Sequence, residues 1–304
     1  MNSKSRRFAV VDGLLIAMIV LPLLLGIVLK VLTAPPSEGI SITGAQIYFT
    51  IPMPIQDLPI TSAQINSWLV ILSLLGLCLY FTHGLSVKKP TRRQHLAEWV
   101  IEKTESMVKD SMGDFFSGYA PFIASIIALS AFSSLMSLLG LFPPTSDINI
   151  VAGWAILVFI LITYYKLKGG LWGYLKGFTE PIFIMAPLNV LGEIATPVSM
   201  AFRHYGNVLS GSVISVLIAA ALQGLSSLVL GWLPGALGEI PLLQIGLPAI
   251  LSVYFDVFSG CMQAYIFAML TMLNIAGGFP EEDYLKRKQK KLSKKNKKQL
   301  QTIN

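Results

Sequence analysis

The chain contains 304 residues, of which 54% are hydrophobic and 13% are charged. Soluble domains average roughly 45–50% apolar and about 25% charged residues, so the composition excludes an ordinary soluble domain. The net charge is +7, but residues 281–304 carry +6 of it, from nine basic and three acidic side chains. This basic charge belongs to a tail and is not interleaved with aromatic residues, which argues against a nucleic-acid partner.

The first predicted element is an apolar run over residues 8–32 that follows basic residues near the N-terminus. It is longer than the 7 to 15 residue apolar core of a signal peptide. We therefore predict a retained anchor helix within residues 1–33. Residues 34–64 contain Pro and Gly and almost no charge, so we expect them to fold at the outer surface.

The middle of the chain predicts three spans and one surface helix. The spans cover residues 65–83, 121–141 and 150–165, while charged and apolar residues alternate with helical periodicity over 92–116. Basic residues flank the cytoplasmic side of membrane helices. The residues that mark this side are Lys88, Lys89, Arg92, Arg93, Lys166, Lys168 and Lys176.

Two long apolar segments follow, over residues 182–230 and 240–275, with Gly and Pro at 231–235 between them. A span needs only about 20 residues, so we expect these helices to be tilted or bent. The predicted fold is an all-α polytopic membrane protein with six spans. Its ion-translocating domain covers residues 65–277, and both termini, including the basic tail 278–304, lie in the cytoplasm. No internal repeat supports an inverted-repeat transporter.

Arg203 is the most informative residue, because more than a dozen largely apolar residues lie on each side of it. A mid-membrane Arg costs about 2.5–3.5 kcal/mol on insertion scales, so it must face a polar cavity or a partner. Arg203 stays protonated at physiological pH, so it can repel a proton or attract a carboxylate but cannot relay protons. Spacings of four, four and three residues place it on one helical face with three other polar residues, and we call this set the first polar stripe. These are Ser199, Asn207 and Ser210.

A second polar stripe lies in the last apolar segment, with spacings of four, three and four. Its members are Ser252, Asp256, Ser259 and Gln263. A carboxylate opposite Arg203 predicts an ion path. The alternative is a buried ion pair between Arg203 and Asp256 that fastens two helices.

Two further titratable residues flank Arg203. Glu193 lies ten residues earlier, about 15 Å toward the cytoplasmic end. There it would either line an exit path or be a carboxylate that the helix dipole favours near a helix N-terminus. His204 points to a different face of the helix, and we interpret it as a packing residue, with a proton carrier as the alternative. Cys78 and Cys261 lie in apolar runs and are interpreted as small buried hydrophobes. We predict no metal site, no nucleotide site and no cofactor.

Three segments resemble the membrane stator subunit a of F-type ATP synthases. They are PLNVLGEIATPVS at 187–199, FRHYGN at 202–207 and QAYIFAMLT at 263–271, in the family's order and spacing. The PTSDIN segment at 144–149 is similar to that family's outer-loop pattern. The resemblance covers residues 66–276, and the Arg-x-x-Gly-Asn and Gln-Ala-Tyr-x-Phe combination is specific.

The resemblance implies a stator that lies against a rotating ring of small subunits, each with one mid-membrane carboxylate. Arg203 would be the family's essential arginine, which releases the ion from a ring carboxylate and separates two offset half-channels. Asn207 and Gln263 match its polar neighbours, and Asp256 falls where the family has a titratable His or Glu in the outer half-channel. Ser212 replaces a residue that is often acidic in relatives, so the relay would rest on Asp256.

The resemblance also implies partners and a location. The partners are the c-ring, the peripheral stalk subunit b, the translocated H⁺ or Na⁺ and membrane lipids, and the chain itself would not be a catalytic subunit. We expect a multi-pass protein of the bacterial plasma membrane, because the N-terminus is not an Arg-rich transit peptide. The alternatives are a secondary transporter with its substrate between Arg203 and Asp256, or a structural subunit of another membrane complex.

Overall fold

A computed structural model describes residues 3–33, 44–54, 56–87, 90–179, 183–230, 246–282, 284–287 and 289. Its α-helices are α1 (Ser3–Thr33), α2 (Ser62–Thr82), α3 (Arg92–Met112), α4 (Ala120–Leu135), α5 (Ile148–Lys168), α6 (Leu171–Thr179), α7 (Ala186–Leu230), α8 (Leu247–Ser252) and α9 (Gly260–Gly277). Two short strands, β1 (Ile47–Ile51) and β2 (Leu58–Thr61), lie between α1 and α2. Within the described part of the chain the protein is therefore almost entirely helical, which confirms the predicted fold class.

Among the described residues, six helical segments are long and apolar enough to cross a membrane. They are Ala9–Thr33, Ser62–Thr82, Asp114–Leu139, Ile148–Lys168, Phe183–Val229 and Ala249–Gly277. Each corresponds to one of the predicted spans, with ends that differ by one to three residues except for two starts, at Asp114 instead of 121 and at Ala249 instead of 240. Residues 231–245, which include the predicted break and the start of the last predicted span, lie outside the described residues. Most of the basic tail also lies outside them.

The strands β1 and β2 pair antiparallel and were not anticipated by the sequence analysis. They lie beside the connection between α4 and α5, together with the C-terminal end of α1. Lys30 donates a hydrogen bond to the carbonyl of Gly140, and Asn66 Nδ2 donates to the carbonyl of Phe142 at 2.8 Å. These parts surround a cavity of about 270 Å³. We call this end of the molecule, defined by residues 140–147 and the hairpin, the turn end.

The opposite end of the molecule is defined by α3, by α6 and by residues 166–170, and we call it the basic end. The largest apolar core cluster lies toward it and joins α3, α4, α5 and α9, with Val108, Ile123, Val158, Phe267 and Met272 fully buried. On α3 one face is buried by this core while Leu96, Trp99, Val100 and Ile101 are exposed. The amphipathic helix predicted over 92–116 is thus present, but it ends at Met112. A 3-10 turn over Asp114–Tyr119 then leads into α4.

Helix α1 packs closely along α2. A Cβ atom on Gly76 of α2 would lie 3.1 Å from the backbone of Met18, so the two backbones are in near contact. Ser73 donates a hydrogen bond of 3.0 Å to the carbonyl of Ile19 across this contact. Near the basic end, Asp12 accepts two hydrogen bonds from Arg93 of α3, at 2.8 and 3.1 Å. This side-chain pair raises the pKa of Arg93 and fixes α1 to the surface helix.

The two elements that carry the polar stripes are α7 and the segment from α8 to α9. Helix α7 has 45 residues and is about 68 Å long at the usual helical rise, more than twice the ~30 Å hydrocarbon core. Pro197 lies inside it and removes one backbone hydrogen bond. Between α8 and α9, residues Val253–Ser259 form a π-helix, a rare geometry that often occurs at functional sites.

Candidate functional site in the last two spans

Arg203 lies in the interior of α7 and its side chain is exposed. No ion pair of the described residues includes it. The alternative of a buried Arg203–Asp256 pair that fastens two helices therefore does not describe this structure. The arginine is left without a counter-charge on a face of α7 that the described parts of the chain leave open.

One turn further along α7, Asn207 connects the two polar stripes. Its Nδ2 atom donates to Ser259 Oγ at 3.0 Å and to Gln263 Oε1 at 3.4 Å. Gln263 is buried, with 3% of its surface exposed. We call Asn207, Ser259 and Gln263 the amide seam. Since Arg203 and Asn207 are four residues apart, they share a face and the arginine lies next to this seam.

Asp256 lies in the π-helix and is half-buried. It accepts a short hydrogen bond from Ser252 Oγ, one turn earlier on the same helix. Gly211 brings α7 against this segment, because a Cβ atom there would lie 3.1 Å from the ring of Phe255. The packing of the Phe255 ring on Gly211 thus holds the neighbouring Asp256 close to α7, while Ser252 of its own helix orients the carboxylate. Ser212 is exposed and donates to the carbonyl of Leu209 at 2.8 Å, so no hydrogen bond links it to Asp256 in the described residues.

Glu193 lies toward the basic end of α7, where it has two partners from other elements. Its Oε1 atom lies 3.0 Å from Lys166 Nζ of α5 and accepts a hydrogen bond of 3.0 Å from the Tyr174 hydroxyl of α6. Burial and the hydrogen bond to Glu193 raise the pKa of Tyr174 to about 12, so the phenol remains a donor at neutral pH. Lys166 was interpreted from the sequence only as a cytoplasmic marker, and Tyr174 was not singled out.

The Glu193 group lines a polar cavity of about 540 Å³ at the basic end. A second cavity of about 220 Å³ shares Lys166, Glu193 and Thr196, and also contacts Asn274 of α9. Asn274 in turn lies within hydrogen-bond distance of the sulfur of Met200, at 3.6 Å. Polar side chains and open volume therefore extend from the basic end along α7 toward the turn that carries Arg203.

His204 points into the bundle and is fully buried. Its Nε2 atom lies 3.2 Å from Ser130 Oγ of α4, and its ring contacts Trp154 and Phe267 edge to face. Its Nδ1 atom is buried without a hydrogen-bond partner in the structure. Among the described residues, no group of His, Cys, Asp or Glu has an arrangement that could hold a metal ion.

In the part of the chain that the structure describes, six apolar helices, and an arginine without an ion-pair partner beside the amide seam, define a polytopic membrane protein with a polar site inside its spanning helices. The sequence profile of one family, described as "ATP synthase A chain", matches residues 64–276, which is more than half of the chain. The chain belongs to this family.

Individual relatives agree with this assignment. The chain is 27% identical over 276 residues to "ATP synthase subunit a, sodium ion specific" of Propionigenium modestum, with 80% of this chain and 88% of the relative covered. It is 30% identical over 220 residues to "ATP synthase subunit a" of Geobacter sulfurreducens, covering 71% and 86%. The corresponding protein of Trichlorobacter lovleyi is 30% identical over 225 residues, covering 72% and 88%.

Proposed function

We propose that this chain is the ion-translocating stator of a rotary F-type ATP synthase and passes ions to and from the carboxylates of a rotating c-ring. Its family membership places it in ATP synthesis and ion transport, as a multi-pass membrane subunit that associates with the other ATP synthase subunits. The observation that carries the finer proposal is Arg203, an exposed cation within a spanning helix that forms no ion pair with any described residue.

An arginine within a spanning helix that pairs with none of the described residues is costly unless it faces a water-filled cavity or a charge from another molecule. A ring subunit that presents one carboxylate supplies that charge. Arg203 then attracts each arriving carboxylate, displaces its ion and blocks direct ion flow past the contact. Because guanidinium does not deprotonate in proteins, this barrier holds through every step. The chain itself carries out no bond-making chemistry.

Two half-channels lead to this contact in the proposal. The Glu193 cavities at the basic end form the cytoplasmic one, since they hold a carboxylate, a phenol and open volume beside α7. Asp256 acts as relay in the outer one, supported by its place in a π-helix against α7. The amide seam lies between the Glu193 cavities and Asp256 along the helices, and its hydrogen bonds hold Asn207 and Gln263 near the arginine.

The proposed setting is a bacterial plasma membrane, with the basic end in the cytoplasm and the turn end outside. This orientation follows from the basic residues of α3 and of residues 166–176. The proposed partners are the c-ring, subunit b, anionic lipid at the basic tail and the translocated H⁺ or Na⁺. One charge that crosses 100 mV releases about 2.3 kcal/mol, so several ions must pass for each ATP formed.

The test is ATP-driven ion uptake into inverted vesicles that contain the assembled complex, with and without Na⁺. We expect Arg203→Ala to abolish uptake while assembly persists, because the barrier and the carboxylate attraction are both lost. Leu217→Ala, an exposed position on the same helix, is the control and is expected to retain uptake. Unchanged uptake by Arg203→Ala in an assembled complex would refute the proposal.

A further inference from the structure

Lys30 lies at the depth of the membrane where lipid headgroups begin. It belongs to the last turn of α1, near the end of the span Ala9–Thr33. It follows Asp12, which contacts Arg93 at the basic end, by 18 positions in the chain, and this separation corresponds to about 27 Å of helix. A hydrocarbon core is ~30 Å thick, so Asp12 and Lys30 lie close to its two boundaries.

The charge of Lys30 has no counter-charge among the described residues. None of the ion pairs that these residues form includes Lys30, and its ammonium group donates to the carbonyl of Gly140. That carbonyl takes one of three N–H groups and carries no net charge. Asp147, at the same end of the molecule, accepts two hydrogen bonds from Asn149 instead. The lysine can therefore bind an anion from another molecule.

The cavity at the turn end brings further hydrogen-bond donors to this lysine. Among the described residues that line it, Lys30 alone is charged. Ser62 Oγ accepts from the backbone N–H of Gln46 at 3.1 Å, so its own proton is left for an acceptor. Side-chain N–H or O–H groups are also present on Gln46, Tyr48 and Asn66. An ammonium group with neighbouring donors is suited to the oxygen atoms of a phosphate group.

The hairpin presents an apolar face beside this cavity. Phe49 pairs with Ile60, and Ile51 pairs with Leu58, and directly paired residues lie on one face of a hairpin. Ile60 is buried, whereas Phe49, Ile51 and Leu58 are exposed by 53%, 40% and 40%. We call these three exposed residues the hairpin face. Tyr48 lines the cavity and directly precedes Phe49 in β1, so the hairpin face and the donors adjoin.

We propose that the turn end binds an anionic phospholipid, with the lipid phosphate at Lys30 and the hairpin face against the lipid layer. An exposed apolar patch next to a cation matches a ligand that joins a phosphate to an apolar body, and a small soluble anion has no use for the patch. Tyrosine is also enriched at this depth of membranes. Helix α1 and the hairpin precede residue 64, where the family match begins. The inference needs only the membrane-spanning fold and is independent of the proposed stator function.

The first experiment measures the thermal inactivation temperature of the detergent-purified complex with and without phosphatidylglycerol. We expect the lipid to raise this temperature by several degrees for wild type, much less for Lys30→Gln, and as in wild type for Lys30→Arg. The matched control is Lys103→Gln, which removes an exposed lysine of α3 at the basic end and should respond as wild type does. An equal rise for wild type and Lys30→Gln would overturn the proposal.

Two further arms of this experiment identify the source of the anion. Inorganic phosphate replaces the lipid in the first arm and should give no rise, and a rise that depends on Lys30 would show a site for a soluble anion instead. The second arm compares Glu38→Gln with Lys30→Gln, because Glu38 is close in the chain but lies outside the described residues. We expect Glu38→Gln to respond to the lipid as wild type does. Loss of the lipid response in both variants would show that a carboxylate of the chain takes part in place of the phosphate, and would overturn the proposal.

The second experiment locates the lipid by fluorescence quenching. Phe49→Trp and Thr50→Trp are introduced separately, and phosphatidylglycerol with brominated acyl chains is added as the quencher. Successive side chains of a strand point to opposite faces, so only Phe49→Trp places its indole on the hairpin face. After subtraction of the wild-type signal, we expect stronger quenching of Phe49→Trp than of Thr50→Trp, and a smaller difference when Lys30→Gln is added. Equal quenching of the two tryptophan variants would overturn the contact between the hairpin face and lipid.

Discussion

Asn207 is the residue that joins the two helices of the site. Its amide nitrogen donates to the hydroxyl of Ser259, the last residue of the π-helix, and to the amide oxygen of Gln263 on α9, so it fixes the rotation of α7 about its own axis relative to the last span. Arg203 lies one turn away on the same face, so this contact also sets the direction in which the guanidinium emerges. A small shift at Asn207 would therefore move the charge that faces the partner.

We predict that Asn207→Leu destabilises the complex by about 1–3 kcal/mol, because Oε1 of the buried Gln263 side chain loses its donor. The measurement is the thermal inactivation temperature of the purified complex. Ser210→Ala is the control, since that exposed hydroxyl bonds only to the carbonyl of Gly206 in its own helix. Equal inactivation temperatures for the two variants would contradict the prediction.

The sequence predicted which residues share a face, because helical spacing alone places Arg203 with Asn207. It did not predict the partner of Glu193, since Lys166 is far away in the chain and only the packing of α5 on α7 brings them together. Nor did it reveal that Ser130 meets His204, because a serine in an apolar helix carries no directional signal. Helical periodicity in the sequence thus predicted which residues share a face, whereas contacts between different helices could not be predicted from it.

At the level of elements, α6 closes the cavity at the basic end. This short helix brings Tyr174 over Glu193, and the hydrogen bond between them connects α6 to α7. The phenol is favoured in its neutral form, since burial and the carboxylate both oppose its ionisation. The contribution of the neutral Tyr174 phenol to stability is complete below the ordinary tyrosine pKa of 10. It is lost as the pH rises through the raised pKa of about 12.

We predict that the near-ultraviolet phenolate absorbance of Tyr174 appears at about pH 12 rather than at 10. The measurement is the difference titration between wild type and Tyr174→Phe, which isolates one phenol among the ten tyrosines. A difference signal with a midpoint at the ordinary pKa would show that Tyr174 is solvated and not held over Glu193.

A second contact between elements joins α1 to α2 at Gly76. We predict that Gly76→Leu destabilises the protein by roughly 1–3 kcal/mol, because the new side chain meets the backbone of Met18 and the helices must separate. Gly13→Leu on α1 is the control, as a Cβ atom there meets nothing within 4 Å. The readout is the thermal inactivation temperature of each complex, and a Gly76→Leu value equal to that of Gly13→Leu would argue against the close packing.

At the scale of the whole molecule, charge and cavities are distributed between two ends. The sequence predicted the number of spans and their approximate limits, because long apolar runs have few alternative structures. It missed the β-hairpin, whose strands are short and lie in a segment with no clear alternation of polar and apolar residues. The match to the family begins at residue 64, so α1 and the hairpin lie outside it, yet both contribute to the turn end.

This distribution predicts the orientation of the protein. Alkaline phosphatase fused after residue 54, at the turn end, should be active outside the cytoplasm. Green fluorescent protein fused at the C-terminus should fluoresce, because the proposed orientation puts the C-terminus in the cytoplasm with the basic residues. Reversed activities would contradict the assigned sides of both half-channels.

The π-helix at Val253–Ser259 changes the direction in which the side chains after it point from the last span. An extra residue in one turn delays every following side chain by about 100° relative to a continuous α-helix. Asp256 and Gln263 therefore do not share the helical face that their spacing in a continuous α-helix would give them. Deleting a single residue there would keep the hydropathy and length of the span nearly unchanged, yet it would rotate Gln263 away from Asn207 and break the amide seam.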